Sequence, residues 1–136
     1  PGALWESRIL GVGTPPLLTN LGWLIFYHAM DKNEPYFYKI GAMILDKDEP
    51  TRILWRAHQP VLEPRDIYET TGIKPGIVYT CGAAAFKGKL LLYYGAADNI
   101  LAVASAPLEE FLGKLRSGGQ PTLKPAKMKV NYQLTT

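Results

Sequence analysis

Gly22-Trp-Leu-Ile-Phe-Tyr-His28 and Gly88-Lys-Leu-Leu-Leu-Tyr-Tyr94 decide the fold, because the second stretch repeats the first. Both are short runs of β-formers opened by a glycine, which is strand chemistry rather than helix chemistry. Sliding the chain on itself by 66 residues carries Gly22 onto Gly88, Leu24 onto Leu90 and Tyr27 onto Tyr93. The match extends upstream, with Val12-Gly-Thr14 falling on Val78-Tyr-Thr80. The chain therefore reads as one β-unit used twice.

Working outward, a first strand at Pro15–Thr19 joins the second through Asn20-Leu-Gly22, and its counterpart at Cys81–Ala85 joins through Lys87-Gly88. Both are hairpin connections. A third strand follows over Tyr36–Leu45 and a fourth over Arg52–Arg56, with Asp46-Lys-Asp-Glu-Pro50 as the solvated turn between them. The second unit's third strand is Ile100–Ser105. Pro107, the acids Glu109 and Glu110, and Lys114 near the end predict a short helix over Ala106–Leu115. Met128–Leu134 offers a final strand.

This pattern predicts an all-β single domain of about two four-stranded β-propeller blades with one short helix near the C-terminus. The blade-like units span 5–65 and 66–115, followed by a tail at 116–136. Two blades do not close a ring, which takes roughly four to eight. Their bare faces would favour pairing with a missing N-terminal half or with another copy of the chain. A small β-sandwich or open barrel built from the same strands is the alternative.

Composition narrows the function. Of the 136 residues 47% are hydrophobic and 20% charged, an ordinary globular balance. The net charge of +3 is too weak and too scattered for a nucleic-acid footprint. No apolar run approaches the length of a membrane span and no secretory signal opens the chain, so a cytoplasmic location is expected, with Pro1 leaving room for lost upstream sequence. The single Cys81 excludes an internal disulfide and reads as a small buried apolar residue. His28 and His58 are far apart and lack carboxylates at ligand spacing, so no metal is expected, and His58 reads as exposed loop. Gly11-Val-Gly13 leads into Pro15-Pro16 and a strand rather than a helix, so it is no phosphate-cradling loop.

The stretch Gly11-Val-Gly-Thr-Pro-Pro-Leu-Leu-Thr-Asn-Leu-Gly-Trp-Leu-Ile-Phe-Tyr-His28 resembles a signature of glycoside hydrolase family 130. The likeness continues through Tyr38-Lys-Ile-Gly-Ala42, Leu45-Asp46, Pro60-Val-Leu-Glu-Pro64 and Tyr93-Tyr-Gly-Ala-Ala-Asp98, in the same order, and covers roughly Trp5 to Leu115. The resemblance is to the C-terminal part of that family. It implies a five-bladed propeller with its active site in the central funnel, cleaving β-mannosides with inversion, by phosphate or by water. No cofactor is implied, and inorganic phosphate enters only as a co-substrate.

The resemblance also implies roles. His28 matches a histidine that helps bind phosphate, and Asp98 an aspartate that contacts the sugar beside the cleaved bond; without it, a strand histidine and a turn aspartate are the plainer readings. Tyr38 and Tyr94 are weaker candidates as partners for a sugar or anion, since strand aromatics more often pack. The family's catalytic aspartate lies in a Glu-Asp-Pro-Arg motif that nothing here matches, so the acid is expected outside this chain. Ile9 stands where the phosphorylases carry a lysine, and the adjacent Arg8 would point to the opposite face of a strand, which tilts the expectation slightly toward hydrolysis. Ala29 stands where glycine is usual and Tyr79-Thr80 where Phe-Pro is common, which points to a shifted substrate. A non-catalytic carbohydrate-binding or assembly module with the same fold is the rival reading.

Overall fold

The structure is a computed structural model that describes residues 4–63, 78–96 and 100–126. After a short 3-10 turn at Leu4–Glu6, the first unit holds β1 (Arg8–Gly11), β2 (Leu17–Thr19), β3 (Gly22–Met30), β4 (Tyr38–Leu45) and β5 (Ile53–Arg56). The second holds β6 (Val78–Phe86), β7 (Lys89–Ala96), β8 (Ile100–Pro107), the helix α1 (Leu108–Ser117) and β9 (Lys124–Pro125). The described residues are thus all-β apart from one short helix and the 3-10 turn.

Two antiparallel sheets result. In the first, β1 and β2 share one edge of β3 and are followed by β4 and β5; the second runs β6-β7-β8-β9. Each sheet therefore has four positions in sequence order. The expected final strand at Met128–Leu134 lies outside the described residues. The fourth position of the second sheet is taken instead by β9, within the stretch read as a tail. That stretch is stitched to the first unit: the Leu123 amide donates to the Val61 carbonyl (2.9 Å), and the Gln120 side chain donates to the carbonyls of Gln59 and Pro60.

The helix follows from its ends and its stripe. Glu109 and Glu110 sit in the first turn and Lys114 and Arg116 in the last, complementing the helix dipole. Gly118 closes it in the left-handed conformation (φ 78°). Phe111, Leu112 and Leu115 are buried, and the Phe111 ring meets Phe26 of β3 at 6.0 Å between centroids. Each such fully buried side chain contributes roughly 1.5–3 kcal/mol.

Hairpin geometry corrects the repeat by one residue. In the first unit Thr19 pairs with Gly22 around Asn20-Leu21; in the second Phe86 pairs with Lys89 around Lys87-Gly88. Gly88 therefore occupies a turn position, where it and Lys87 both take positive φ (75° and 48°) as a type I′ hairpin turn requires. Gly22 is already the first strand residue. It is glycine because its φ is 133° and a Cβ there would lie 2.3 Å from the Leu45 carbonyl oxygen. The two glycines align in sequence but do different jobs. Tyr27 thus corresponds to Tyr94, not Tyr93, and both are fully buried, whereas Tyr93 is 41% exposed.

A one-residue slip exchanges the faces of a strand. The main core joins Leu24 and Phe26 of β3 to Leu90, Leu92 and Tyr94 of β7. Under the corrected correspondence these are opposite faces of the repeated unit. The sheets therefore meet head to tail, whereas two copies related by a twofold axis would bury the same face of each. The outer face of the second sheet is left open, with Phe86 63%, Tyr93 41% and Leu101 59% exposed.

Candidate functional site

His28 lies near the end of β3, opposite Gly11 of β1 and Ile40 of β4. One row further, Met30 stands between Arg8 and Tyr38. Directly opposed residues in antiparallel strands share a face, so Arg8, His28 and Tyr38 are on one side of the first sheet. Cross-strand alternation puts Tyr38 on the diagonal from His28, about 7–8 Å away backbone to backbone. The sequence set Arg8 aside because Ile9 aligns with the phosphorylase lysine and neighbours on a strand face opposite ways. Strand pairing shows the reverse: Ile9 opposes Ala29 on the far face, and Arg8 is the residue on the side of His28.

The imidazole is half-buried, and its Nδ1 is enclosed without a hydrogen-bond partner. Burial disfavours the charged ring and lowers its pKa below the ordinary 6.5. Gly11 lies against the ring: a Cβ there would sit in ordinary contact, 3.6 Å from Cε1 and 3.7 Å from Nε2. The turn that follows Gly11 then reaches the second unit. The Gly13 amide donates to the Thr80 hydroxyl at 3.0 Å, and the enclosed Thr14 hydroxyl has no partner.

The other expected positions belong to the second unit. Tyr94 is fully buried in the main core opposite Thr80 and Ala102. Asp98 falls between the end of β7 and the start of β8, outside the described residues. Cys81, expected to be buried, is exposed: it is the extra residue where the β6 register shifts between Thr80 and Gly82, and a bulge frees such a residue from the alternation that would have turned it inward. His58 is exposed.

A second cluster escaped the sequence altogether. On the opposite face of β3, Tyr27 donates its hydroxyl to Glu6 Oε2 at 2.5 Å. Arg56 of β5 donates from Nη2 to the same oxygen at 2.8 Å and from Nε to the Tyr27 hydroxyl at 3.2 Å. Trp5 stacks on Tyr27 at 6.2 Å and donates its indole N–H to the His58 carbonyl. Burial first, then the Glu6 carboxylate, push the Tyr27 pKa well above its usual value. This network clamps the Leu4–Glu6 turn and β5 to the back of the strand that carries His28. Among the described residues no three metal-ligating side chains converge, and no helix is long and apolar enough to cross a membrane.

The family model described as beta-1,4-mannooligosaccharide phosphorylase, glycoside hydrolase family 130, matches residues 2–117. The chain belongs to family 130. It is 38% identical over 106 residues to the 1,2-beta-oligomannan phosphorylase of Thermoanaerobacter sp. (strain X514), covering 78% of this chain and 35% of that protein. With the beta-1,4-mannooligosaccharide phosphorylase of Ruminococcus albus it shares 33% identity over 120 residues, 86% of this chain and 36% of that protein. A solved family 130 structure, the beta-1,2-mannobiose phosphorylase of Listeria innocua in complex with beta-1,2-mannobiose, superposes with a TM-score of 0.76 at 37% identity, covering 86% of this chain and 32% of that one. The chain thus spans about a third of the length of the family 130 relatives it matches.

Proposed function

We propose that this chain forms part of a β-mannoside phosphorylase and supplies the anion-binding side of its active site. The observation that carries the reading is the placement of Arg8, His28 and Tyr38 on one partly open face of the first sheet, in a chain that belongs to family 130. A guanidinium is a permanent cation suited to phosphate, and a tyrosine hydroxyl and an imidazole add hydrogen bonds. In the inverting reaction a phosphate oxygen attacks the anomeric carbon while an acid protonates the departing glycosidic oxygen. The chain lacks the family's acid motif, so that proton comes from residues outside it. Asp98 is assigned to the mannosyl unit beside the cleaved bond.

The head-to-tail packing of the two sheets supports a propeller, since a repeated heterologous contact closes into a ring when its rotation divides a full turn; the number five rests on the family resemblance. The exposed Tyr93 and Leu101 mark the face that the next unit would cover.

The test is product analysis on the polypeptide that carries this chain, with β-1,2- and β-1,4-mannobiose. Mannose 1-phosphate formed only with phosphate, and lost in His28→Ala, is the expected result. No turnover under either condition would instead fit a non-catalytic sugar-binding module. Hydrolysis is the second reading, favoured by Ile9 at the position of the phosphorylase lysine; mannose released in phosphate-free buffer would establish it.

A further inference from the structure

The Gly11–Thr14 turn touches two things at once. At one end Gly11 borders the His28 ring; at the other Gly13 is held by the Thr80 hydroxyl of the second sheet. Thr80 is 4% exposed, and the contact is too close to accept a side chain at Gly13, where a Cβ would lie 2.1 Å from the Thr80 carbonyl oxygen and 2.3 Å from its hydroxyl. Thr80 also sits beside the β6 bulge, the kind of irregularity that re-aims a side chain. Between the two ends, Thr14 is 3% exposed and its hydroxyl is unpartnered, as is Nδ1 of His28. One short segment, fixed from the far sheet, thus sets the wall beside the imidazole.

We propose that Thr80 is a positioning residue: its hydroxyl clasps the Gly11–Thr14 turn across the junction of the two sheets and so sets the position and polarity of the backbone beside the His28 ring. The assignment rests on the reading of His28 as an anion ligand. A clasp between units makes the surroundings of the imidazole depend on how the sheets dock, because a shift of the second sheet is passed through Gly13 to the ring.

Thr80→Val keeps the shape and removes the hydroxyl; Thr80→Ser restores it. In the polypeptide that carries this chain, titration with inorganic phosphate is expected to show about tenfold weaker binding for Thr80→Val and near wild-type binding for Thr80→Ser. The NMR titration of the His28 ring should move in the first variant and return in the second, which loss of stability alone would not produce. Gly13→Ala forces the turn off β6 by a separate route and should weaken phosphate binding likewise. Wild-type affinity and an unmoved His28 titration in folded Thr80→Val or Gly13→Ala, with binding lost in His28→Ala, would overturn the role of Thr80 alone. Unchanged binding in His28→Ala would remove the anion site itself, and the clasp with it.

Discussion

Replacing Arg56 by methionine tests whether the cluster behind β3 holds the strand in place. The Glu6 side chain is 2% exposed and that of Arg56 27%, so the substitution strands a buried carboxylate with only part of its hydrogen bonding. Breaking a fully buried pair costs about 3–5 kcal/mol, and an exposed one about 0–1. With one partner enclosed and the other over a quarter open, an intermediate loss of about 2 kcal/mol is expected. Urea unfolding of the parent polypeptide reads the loss as a lower midpoint at constant slope. Adding Glu6→Gln should recover about 1 kcal/mol, because the amide needs no cation, and the double-mutant cycle isolates that coupling. Single substitutions within about 0.5 kcal/mol of wild type and no coupling would refute the clamp.

Two further outcomes follow from single positions. In Gly41→Ala the new Cβ would lie 2.3 Å from the Tyr27 ring, so the ring must leave its place; a loss of about 1–3 kcal/mol is expected in the same unfolding assay. The lowered His28 pKa means that the unfolded chain takes up a proton more readily than the folded one once the pH falls below about 6.5. Stability should therefore decline from pH 6.5 downward, a His28→Gln variant should lose that part of the decline, and bound phosphate should offset it by favouring the charged ring.

The strands were legible because each is short, apolar and bracketed by turn residues. The exact correspondence of the two units was not, because glycine serves two purposes. At Gly88 it permits a tight turn, and at Gly22 it lets the strand start against a neighbouring carbonyl; a sequence match sees one letter and aligns them. That error of one residue exchanged the faces of β7 and paired buried Tyr27 with exposed Tyr93. β9 was hidden for another reason. It is two residues long and contains proline, and its place is fixed by the bonds from Gln120 and Leu123 to the first unit rather than by its own propensity.

The candidate site divides along the same line. His28 stood out only through the family resemblance, since the strand pattern by itself reads as an ordinary half-buried histidine, and Tyr38 was a weaker candidate for the same reason; Arg8 depended on strand pairing that residue spacing does not encode. Simple alternation along β1 could say that Arg8 and Ile9 face opposite ways, but not which of them faces His28. The pairing of Arg8 with Met30 decides it, and a register shift lies between Ile9 and Gly11, so counting back from Gly11 would have chosen the wrong residue. Glu6, Tyr27 and Arg56 are 21 to 50 residues apart and share no motif. They come together only because β3 and β5 flank β4 in one sheet and the N-terminal turn folds over its back. The same dependence applies to Thr80: its hydroxyl meets the Gly13 amide only because the second sheet has docked, so the contact belongs to the junction and not to either repeat alone.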